Sequence, residues 1–178
     1  MKALAAALLV FVAACGQGKA IFNVDVYSFM AGSGKDTIPY AIPPASSASA
    51  STFQRILLPP GFGKSIVDSV RITSGNANLI NSAGTGTIGL QFRFAADSAG
   101  TSTAPAALSI APTTVTGAQT VPVAISGDLS STINALFTRD TLWMRITATG
   151  TNPGLTPLTG KGAITALVIR VVLEDKIF

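Results

Sequence analysis

The sequence of 178 residues contains no histidine, a single cysteine and only eight acidic residues. The absence of histidine excludes Ser-His-Asp and Cys-His catalytic sites, histidine-ligated zinc and pH switching by imidazole. A single cysteine excludes intrachain disulfides and cysteine-rich metal sites. The eight carboxylates include no recognisable catalytic pair, although two that are distant in sequence could still meet in the fold, as in a glycosidase. We therefore expect a protein that is not an enzyme and that holds no metal.

Charge is also scarce, since Asp, Glu, Lys and Arg make up 11% of the sequence, against roughly 25% in an average protein. The hydrophobic share of 48% argues against disorder, which needs the opposite balance. The net charge of +4 comes from scattered residues, so it does not form the clustered positive footprint of a nucleic-acid-binding protein. We predict a folded domain that does not bind nucleic acid.

A glycine-rich segment at residues 31–37 matches a phosphate-binding loop in only part of the motif. The glycine that should stand five residues before Gly34 is replaced by Phe29, and Lys35 is followed by Asp36 rather than by Ser or Thr. The next residues, Ile-Pro-Tyr, cannot open the helix whose N-terminus would hold a phosphate. We interpret the segment as a polar turn and predict no nucleotide partner.

The N-terminus has the layout of an export signal. Lys2 precedes a run of apolar residues from 3 to 14, which is shorter than the ~20 residues of a membrane-spanning helix. The run ends in Val12-Ala13-Ala14-Cys15, which resembles the lipobox of bacterial lipoprotein precursors. This resemblance covers residues 1–15 alone and implies cleavage before Cys15, with diacylglycerol and an acyl chain attached covalently to that cysteine. The alternative is an ordinary secretory signal that happens to contain a cysteine.

The resemblance implies a division of the chain and a location. Residues 1–14 would be the signal peptide, 15–20 a short acylated tether, and 21–178 the folded domain. The protein would lie in the cell envelope, with the lipid bilayer as a partner through Cys15. Because Gly16 rather than aspartate follows Cys15, we expect the outer membrane in a Gram-negative host. In a host with one membrane, we expect its outer face.

Apolar and polar residues alternate with a period of two over most of the domain, as expected for antiparallel strands with one buried face. The clearest runs span residues 21–29, 66–72, 87–94, 120–126 and 141–148. In two of them the predicted core residues are Leu90, Phe92, Leu142, Met144 and Ile146. The run 163–173 is apolar on both faces until Arg170, which predicts a central strand covered on both sides. Pro122 places its own strand at a sheet edge or at a bulge.

Helix signals are few. Asp128 is positioned to cap one short helical turn that continues to residue 137. Three segments rich in small and turn-forming residues, 41–52, 95–106 and 150–162, are predicted loops. About eight short strands predict an all-β, two-sheet antiparallel β-sandwich, either immunoglobulin-like or jelly-roll, with a closed barrel as the alternative.

Two aromatic residues and an arginine are the candidate binding residues. Trp143 and Arg145 fall on the polar side of one predicted strand, and Tyr27 falls on the polar side of the first. Exposed aromatic side chains of this kind stack on sugars or anchor protein interfaces. The alternative is that a loop or the helical turn covers Trp143.

The sequence thus favours a membrane-anchored extracytoplasmic lipoprotein with a structural or protein-interaction role, such as an accessory or assembly subunit. Such subunits can associate by strand addition, and the candidate segment is the first strand, through Ile21, Phe22, Val24 and Val26. We expect this strand to lie in the same sheet as residues 163–173. The alternative function is a glycan- or ligand-binding module that uses the exposed aromatic residues and the long loops.

Overall fold

The structure, a computed structural model, describes residues 19–58 and 66–174. The predicted signal peptide, Cys15 and most of the predicted tether lie outside the described residues. Within the two described ranges, no helix combines the length and the hydropathy that crossing a membrane requires.

The described residues form ten strands and a few short helices. The strands are β1 Lys19–Asp25, β2 Thr37–Ile42, β3 Ser46–Leu57, β4 Ile66–Ala83, β5 Thr85–Ala95, β6 Leu108–Thr116, β7 Gln119–Ala124, β8 Gly127–Asp128, β9 Thr141–Asn152 and β10 Leu158–Glu174. The helices are α1 Val26–Ala31, α2 Gly100–Thr103 and α3 Ser130–Ile133, and a 3-10 helix spans Asn134–Thr138. The predicted all-β class is confirmed, with ten strands where about eight were expected.

The strands form two antiparallel sheets. The six-stranded sheet has the order β1-β10-β4-β7, with β2 also paired to β10 and β8 also paired to β4, and the four-stranded sheet has the order β3-β9-β5-β6. The pairs β2/β3, β4/β5, β6/β7 and β9/β10 each pass from one sheet to the other. With β2 beside β10, the two orders β2-β10-β4-β7 and β3-β9-β5-β6 are those of a jelly-roll sandwich.

The apolar side chains of the alternating runs fill the space between the sheets. The five predicted core residues, Leu90, Phe92, Leu142, Met144 and Ile146, are all buried. β10 lies between β1 and β4, so its central position is confirmed. Its expected burial on both faces is wrong, because Ala166, Val168 and Val172 are only half-buried on the outer face. The outer face of this sheet is open, and apolar residues there do not imply a covering layer.

The predicted helical turn after Asp128 is confirmed as α3 and the 3-10 helix. The side chains of Leu129, Ile133 and Phe137 in this segment are buried in the core. The Asp128 carboxylate accepts a hydrogen bond from the backbone N–H of Ser130 at 2.9 Å and pairs with Arg71 at 3.1 Å. The hydrogen bonds from Ser130, followed by the charge of Arg71, lower the pKa of Asp128.

The predicted loop at residues 41–52 is wrong, because most of it belongs to β3. All twelve residues of β3 pair with β9 without a bulge, from Ser46 opposite Asn152 to Leu57 opposite Thr141. Serine and alanine have weak strand propensity, so this pairing is imposed by the neighbouring strand rather than by the local sequence. The other two predicted loops are shorter than expected, since α2 interrupts one of them and β9 and β10 extend into the other.

The predicted first strand at residues 21–29 is also partly wrong. β1 ends at Asp25, whose carboxylate accepts a hydrogen bond from the backbone N–H of Ser28 at 3.2 Å and thereby caps α1. Val26 therefore begins a helix, where it is buried. The expected proximity of the terminal strands is confirmed, because β1 pairs with β10 along its whole length, from Lys19 opposite Glu174 to Asp25 opposite Val168.

The side chains of two buried asparagines hydrogen-bond to the turns that connect the two sheets. Asn81 donates to the backbone carbonyls of Gly84 and Gly117, at 3.1 and 2.6 Å, and accepts a hydrogen bond from the Tyr40 hydroxyl. Gly84 has a φ of +81°, in the left-handed region that favours glycine. Asn152 contacts the turn between β2 and β3 in a similar way. The backbone groups of these turns have no neighbouring strand to bond with, and the asparagine side chains supply the hydrogen bonds instead.

Candidate binding surface

The candidate surface is the outer face of the four-stranded sheet. Along β9, Leu142, Met144 and Ile146 point into the core, so the residues between them point outward. The strand register then places Arg55 beside Trp143. It also places Phe53 on one side of Arg145 and Arg93 on the other. One end of this face therefore gathers aromatic rings and guanidinium groups.

Arg145 is held in one position by three neighbours. Its Nε donates to Thr101 Oγ1 at 3.0 Å, and its Nη1 donates to Ser51 Oγ at 2.9 Å. Its guanidinium carbon lies 5.2 Å from the centre of the Phe53 ring. Thr101 is buried in α2, where Asp97 accepts a hydrogen bond from the backbone N–H of Gly100 at 2.7 Å. The predicted loop at 95–106 thus folds over the sheet and orients Arg145.

Phe53 is the centre of this arrangement. Its ring is 38% exposed and lies 6.0 Å from Trp143, tilted by 43°. The ammonium group of Lys35 is 4.9 Å from the same ring. Both cations lie within the distance at which a ring attracts positive charge. We refer to Lys35, Phe53, Trp143 and Arg145 as the Phe53 cluster.

The cationic groups of the Phe53 cluster form no ion pair among the described residues. Arg93 donates from Nη2 to Gln91 at 3.2 Å, but its buried Nε has no hydrogen-bond partner among the described residues. Within residues 19–58 and 66–174, the ion pairs are Lys19–Asp68 and Arg71–Asp128, and neither involves the cluster. Arg55 is exposed on the same face, and an exposed guanidinium group can bind a carboxylate in a two-pronged geometry. The surface can therefore receive an acidic group flanked by apolar atoms.

The same outer face carries a shallow groove at its other end. The groove encloses about 370 Å³ and is lined mainly by hydroxyl-bearing residues: Ser47, Ala48, Ser49, Thr87, Pro112, Thr149, Gly150 and Thr151. Thr149 lies six residues beyond Trp143 on β9, a distance of about 20 Å in a strand. In the described part of the chain, no group of three His, Cys, Asp or Glu side chains is placed to hold a metal ion.

The predicted site residues do not all lie together. Trp143 and Arg145 share the surface, as expected, and Trp143 is half-buried rather than fully exposed. The expected position of Tyr27 is wrong: it lies on α1, half-buried against the core. Phe53 and Lys35 were not expected to take part. The alternation of Phe53 and Arg55 was visible in the sequence, but their pairing with β9 was not.

The predicted strand-addition segment is engaged within its own domain. Ile21, Phe22 and Val24 pair with Val172, Val171 and Ile169 of β10. Val24 is buried and Phe22 packs against the core. Donation of this segment into a neighbour's sheet would require it to leave β10.

Comparison with known proteins gives little further information. No protein-family model and no curated protein matches the chain. A solved structure from infectious bursal disease virus, Gx strain, is similar with a TM-score of 0.46 and 10% sequence identity. The similarity covers 90% of this chain and 33% of the viral chain, so the chain spans about a third of that protein's length.

Proposed function

We propose that the chain is a lipid-anchored protein of the bacterial cell envelope, and that its jelly-roll domain binds protein rather than catalysing a reaction. The Phe53 cluster is the observation that carries this proposal. Arginine and aromatic residues dominate the binding energy of protein interfaces. Because Arg145 is already fixed by Thr101 and Ser51, little side-chain entropy is lost when a partner binds.

The layout of the sheet face favours a large partner over a small one. Along the strands, the groove begins about 13 Å from Phe53, at Ser49, and Thr149 lies about 20 Å from Trp143. A small ligand can contact one of these features, whereas a protein footprint of roughly 800 Å² covers both. The arginines and aromatic rings of this face are residue types that are enriched in protein interfaces.

The proposed anchor would hold this surface near the membrane. β1 begins at Lys19, four residues after Cys15, and four extended residues span at most about 14 Å. Two or three acyl chains on one cysteine give stable anchoring, whereas one chain does not. A domain tethered so closely meets partners that are in the envelope or on its surface.

A glycan-binding role remains the second candidate, and the hydroxyl groove favours it. Serine and threonine hydroxyls both donate and accept hydrogen bonds, and the exposed Phe53 ring offers an apolar stacking surface. In this role a soluble glycan would bind the isolated domain. Loss of binding in both Thr149→Ala and Phe53→Ala would then follow, because an extended glycan would need both regions.

Photo-crosslinking tests the protein-binding role. A photoreactive residue at Leu57, which is exposed beside the cluster on β3, should yield a discrete crosslinked adduct in intact cells. Trp143→Ala in the same chain should reduce that adduct at least fivefold. A photoreactive residue at the exposed Lys161, on the opposite sheet, is the matched control. No adduct at Leu57, together with binding to a glycan array, would replace this proposal with the glycan-binding one.

A further inference from the structure

The edges of the two sheets are not equally protected against pairing with another chain. Edge strands expose unpaired backbone N–H and C=O groups, and proteins usually guard them with proline, charge or bulges. Pro39, Pro112 and Pro122 interrupt β2, β6 and β7, and Lys19 lies in β1. β3, at the edge of the four-stranded sheet, has no proline, no bulge against β9 and no charged residue before Arg55.

Only the first part of this β3 edge is open. Towards its end, Ser33 donates to the Gln54 side chain at 2.8 Å, and Gln54 in turn donates to the backbone carbonyl of Arg55 at 2.9 Å. At residues 46–52 the inward-facing Ala48 and Ala50 are only half-buried. A cleft of about 70 Å³ separates them from β2. Residues 46–52 therefore present a free edge to solvent.

The open stretch is symmetric in sequence. Ser47-Ala48-Ser49-Ala50-Ser51 reads the same in both directions about Ser49. When two such strands pair antiparallel about a two-fold axis at Ser49, Ser47 lies opposite Ser51 and Ala48 lies opposite Ala50. No like charges meet in this register, because Arg55 falls opposite Pro43, beyond the end of the partner's β3.

We propose that β3 pairs with the β3 edge of a second copy of this chain, antiparallel and centred on Ser49. This inference goes beyond the proposed protein-binding role, because it concerns the β3 edge rather than the Phe53 cluster. The pairing is isologous and closed, as in most protein dimers. It joins the two four-stranded sheets into one eight-stranded sheet and removes the unguarded edge. Serine and alanine side chains allow the close approach without steric conflict.

The dimer has a consequence for the Phe53 cluster. Residues that lie opposite each other in an antiparallel pair project from the same face of the sheet. The two clusters are therefore on one continuous outer face, with the two Phe53 residues about 27 Å apart along the strand direction. A repetitive or dimeric partner could engage both clusters at once, which would raise its avidity.

Charge substitution at the symmetry axis tests the pairing. Residue 49 is the position that meets itself in this register, so Ser49→Lys and Ser49→Glu each place like charges opposite each other. In the full chain carrying Cys15→Ser, each variant alone should dimerise at least tenfold more weakly in sedimentation equilibrium than the parent. An equimolar mixture of the two should restore the parent affinity, because lysine then meets glutamate. Ser109→Lys, at the exposed edge of β6, should change nothing.

Disulfide trapping gives a second readout in the same background. Opposite residues of an antiparallel pair have Cα atoms about 4.5–5.5 Å apart, within the range that a disulfide bridges. With oxygen and a copper catalyst to accept the electrons, Ser49→Cys should form a covalent dimer, and Ser109→Cys should not. Thermal unfolding of each variant near the parent temperature establishes that the fold is intact.

The outcomes separate this inference from the proposed function. If the parent chain sediments as a monomer while the Leu57 crosslink in cells persists, β3 pairing is wrong and the protein-binding role stands. The same conclusion applies if the chain dimerises but mixing the two charge variants restores nothing. If the parent is monomeric and the Leu57 crosslink is also absent, both proposals fail.

Discussion

Asn152 donates a hydrogen bond from its side-chain Nδ2 to the backbone carbonyl of Ile42, over 3.0 Å. The same amide group also donates to the carbonyls of Pro43 and Thr156, and its Oδ1 accepts from the backbone N–H of Gly154 at 2.9 Å. A single side chain, fully buried, thus joins the turn between β2 and β3 to the loop between β9 and β10. Both connections cross between the sheets.

We expect Asn152→Ala to lower the free energy of unfolding by about 2–3 kcal/mol, because it leaves buried backbone groups without partners. Chemical denaturation of the full chain measures this difference. Asn76→Ala is the matched control: Asn76 is exposed on β4, and the change should cost less than about 0.5 kcal/mol. Equal losses in the two variants would contradict the role assigned to Asn152.

Alanine substitutions at the adjacent residues Phe92 and Arg93 should differ sharply in their effect on the free energy of unfolding. Phe92 is fully buried between the sheets, so Phe92→Ala should cost about 3–5 kcal/mol through lost burial and the resulting cavity. Arg93 points outward and keeps one buried, unpartnered nitrogen, so Arg93→Ala should cost less than about 1 kcal/mol. Urea denaturation followed by intrinsic fluorescence separates the two, and a large loss for Arg93→Ala would mean that the outer face is packed.

Tyr40 provides a pH-dependent prediction. Burial raises the pKa of Tyr40 above its ordinary value of 10.0, because the phenolate is poorly solvated there. Well below pH 10 the phenol is neutral in both folded and unfolded states, so it contributes no pH dependence there. As the pH rises above 10, the unfolded state loses the proton more readily, and stability falls.

Ultraviolet titration can detect the shifted pKa of Tyr40 directly. The chain has two tyrosines, so the Tyr27→Phe variant leaves Tyr40 as the single phenol that absorbs on ionisation. Its midpoint should lie above 10 in the folded protein and return to about 10 in denaturant. A midpoint at or below 10 in the folded state would contradict the burial of this ring.

The proposed lipid anchor predicts a specific mass change. The mature protein should begin at Cys15 and carry a diacylglycerol thioether and an acyl chain, which should place it in the detergent phase after phase separation. Cys15→Ser should leave an unacylated chain in the aqueous phase. Intact-mass analysis that shows residues 1–14 still attached and Cys15 unmodified would exclude the lipoprotein interpretation.

Much of the fold could be predicted from the sequence because β5 and β9 alternate large apolar residues with polar ones. Phe92 and Met144 mark their buried faces without reference to the rest of the chain. β3 gives no such signal, since its inward positions include Ala48 and Ala50, which are small and only half-buried. Its strand structure depends on hydrogen bonds to β9, and these are set by tertiary structure rather than by propensity.

The binding surface was predictable only in part, for a related reason. Trp143 and Arg145 alternate with core residues on one strand, so their outward direction follows from periodicity. Phe53 reaches them only through the register between β3 and β9, and Lys35 only through the turn after α1. Tyr27 was misplaced because the apolar alternation predicts a strand that continues past it. In the structure the strand ends at Asp25, whose side chain caps the helix that follows.

The position of β10 sets the order of events during synthesis. β10 follows every other described strand in the sequence, yet it lies between β4 on one side and β1 and β2 on the other. The six-stranded sheet therefore lacks its centre until residues 158–174 have been made, and its contacts join segments far apart in the chain. A nascent chain cannot complete this sheet before β10 has been made, whereas its N-terminus emerges first. If residues 1–14 act as the proposed export signal, that signal is exposed before the six-stranded sheet can be completed.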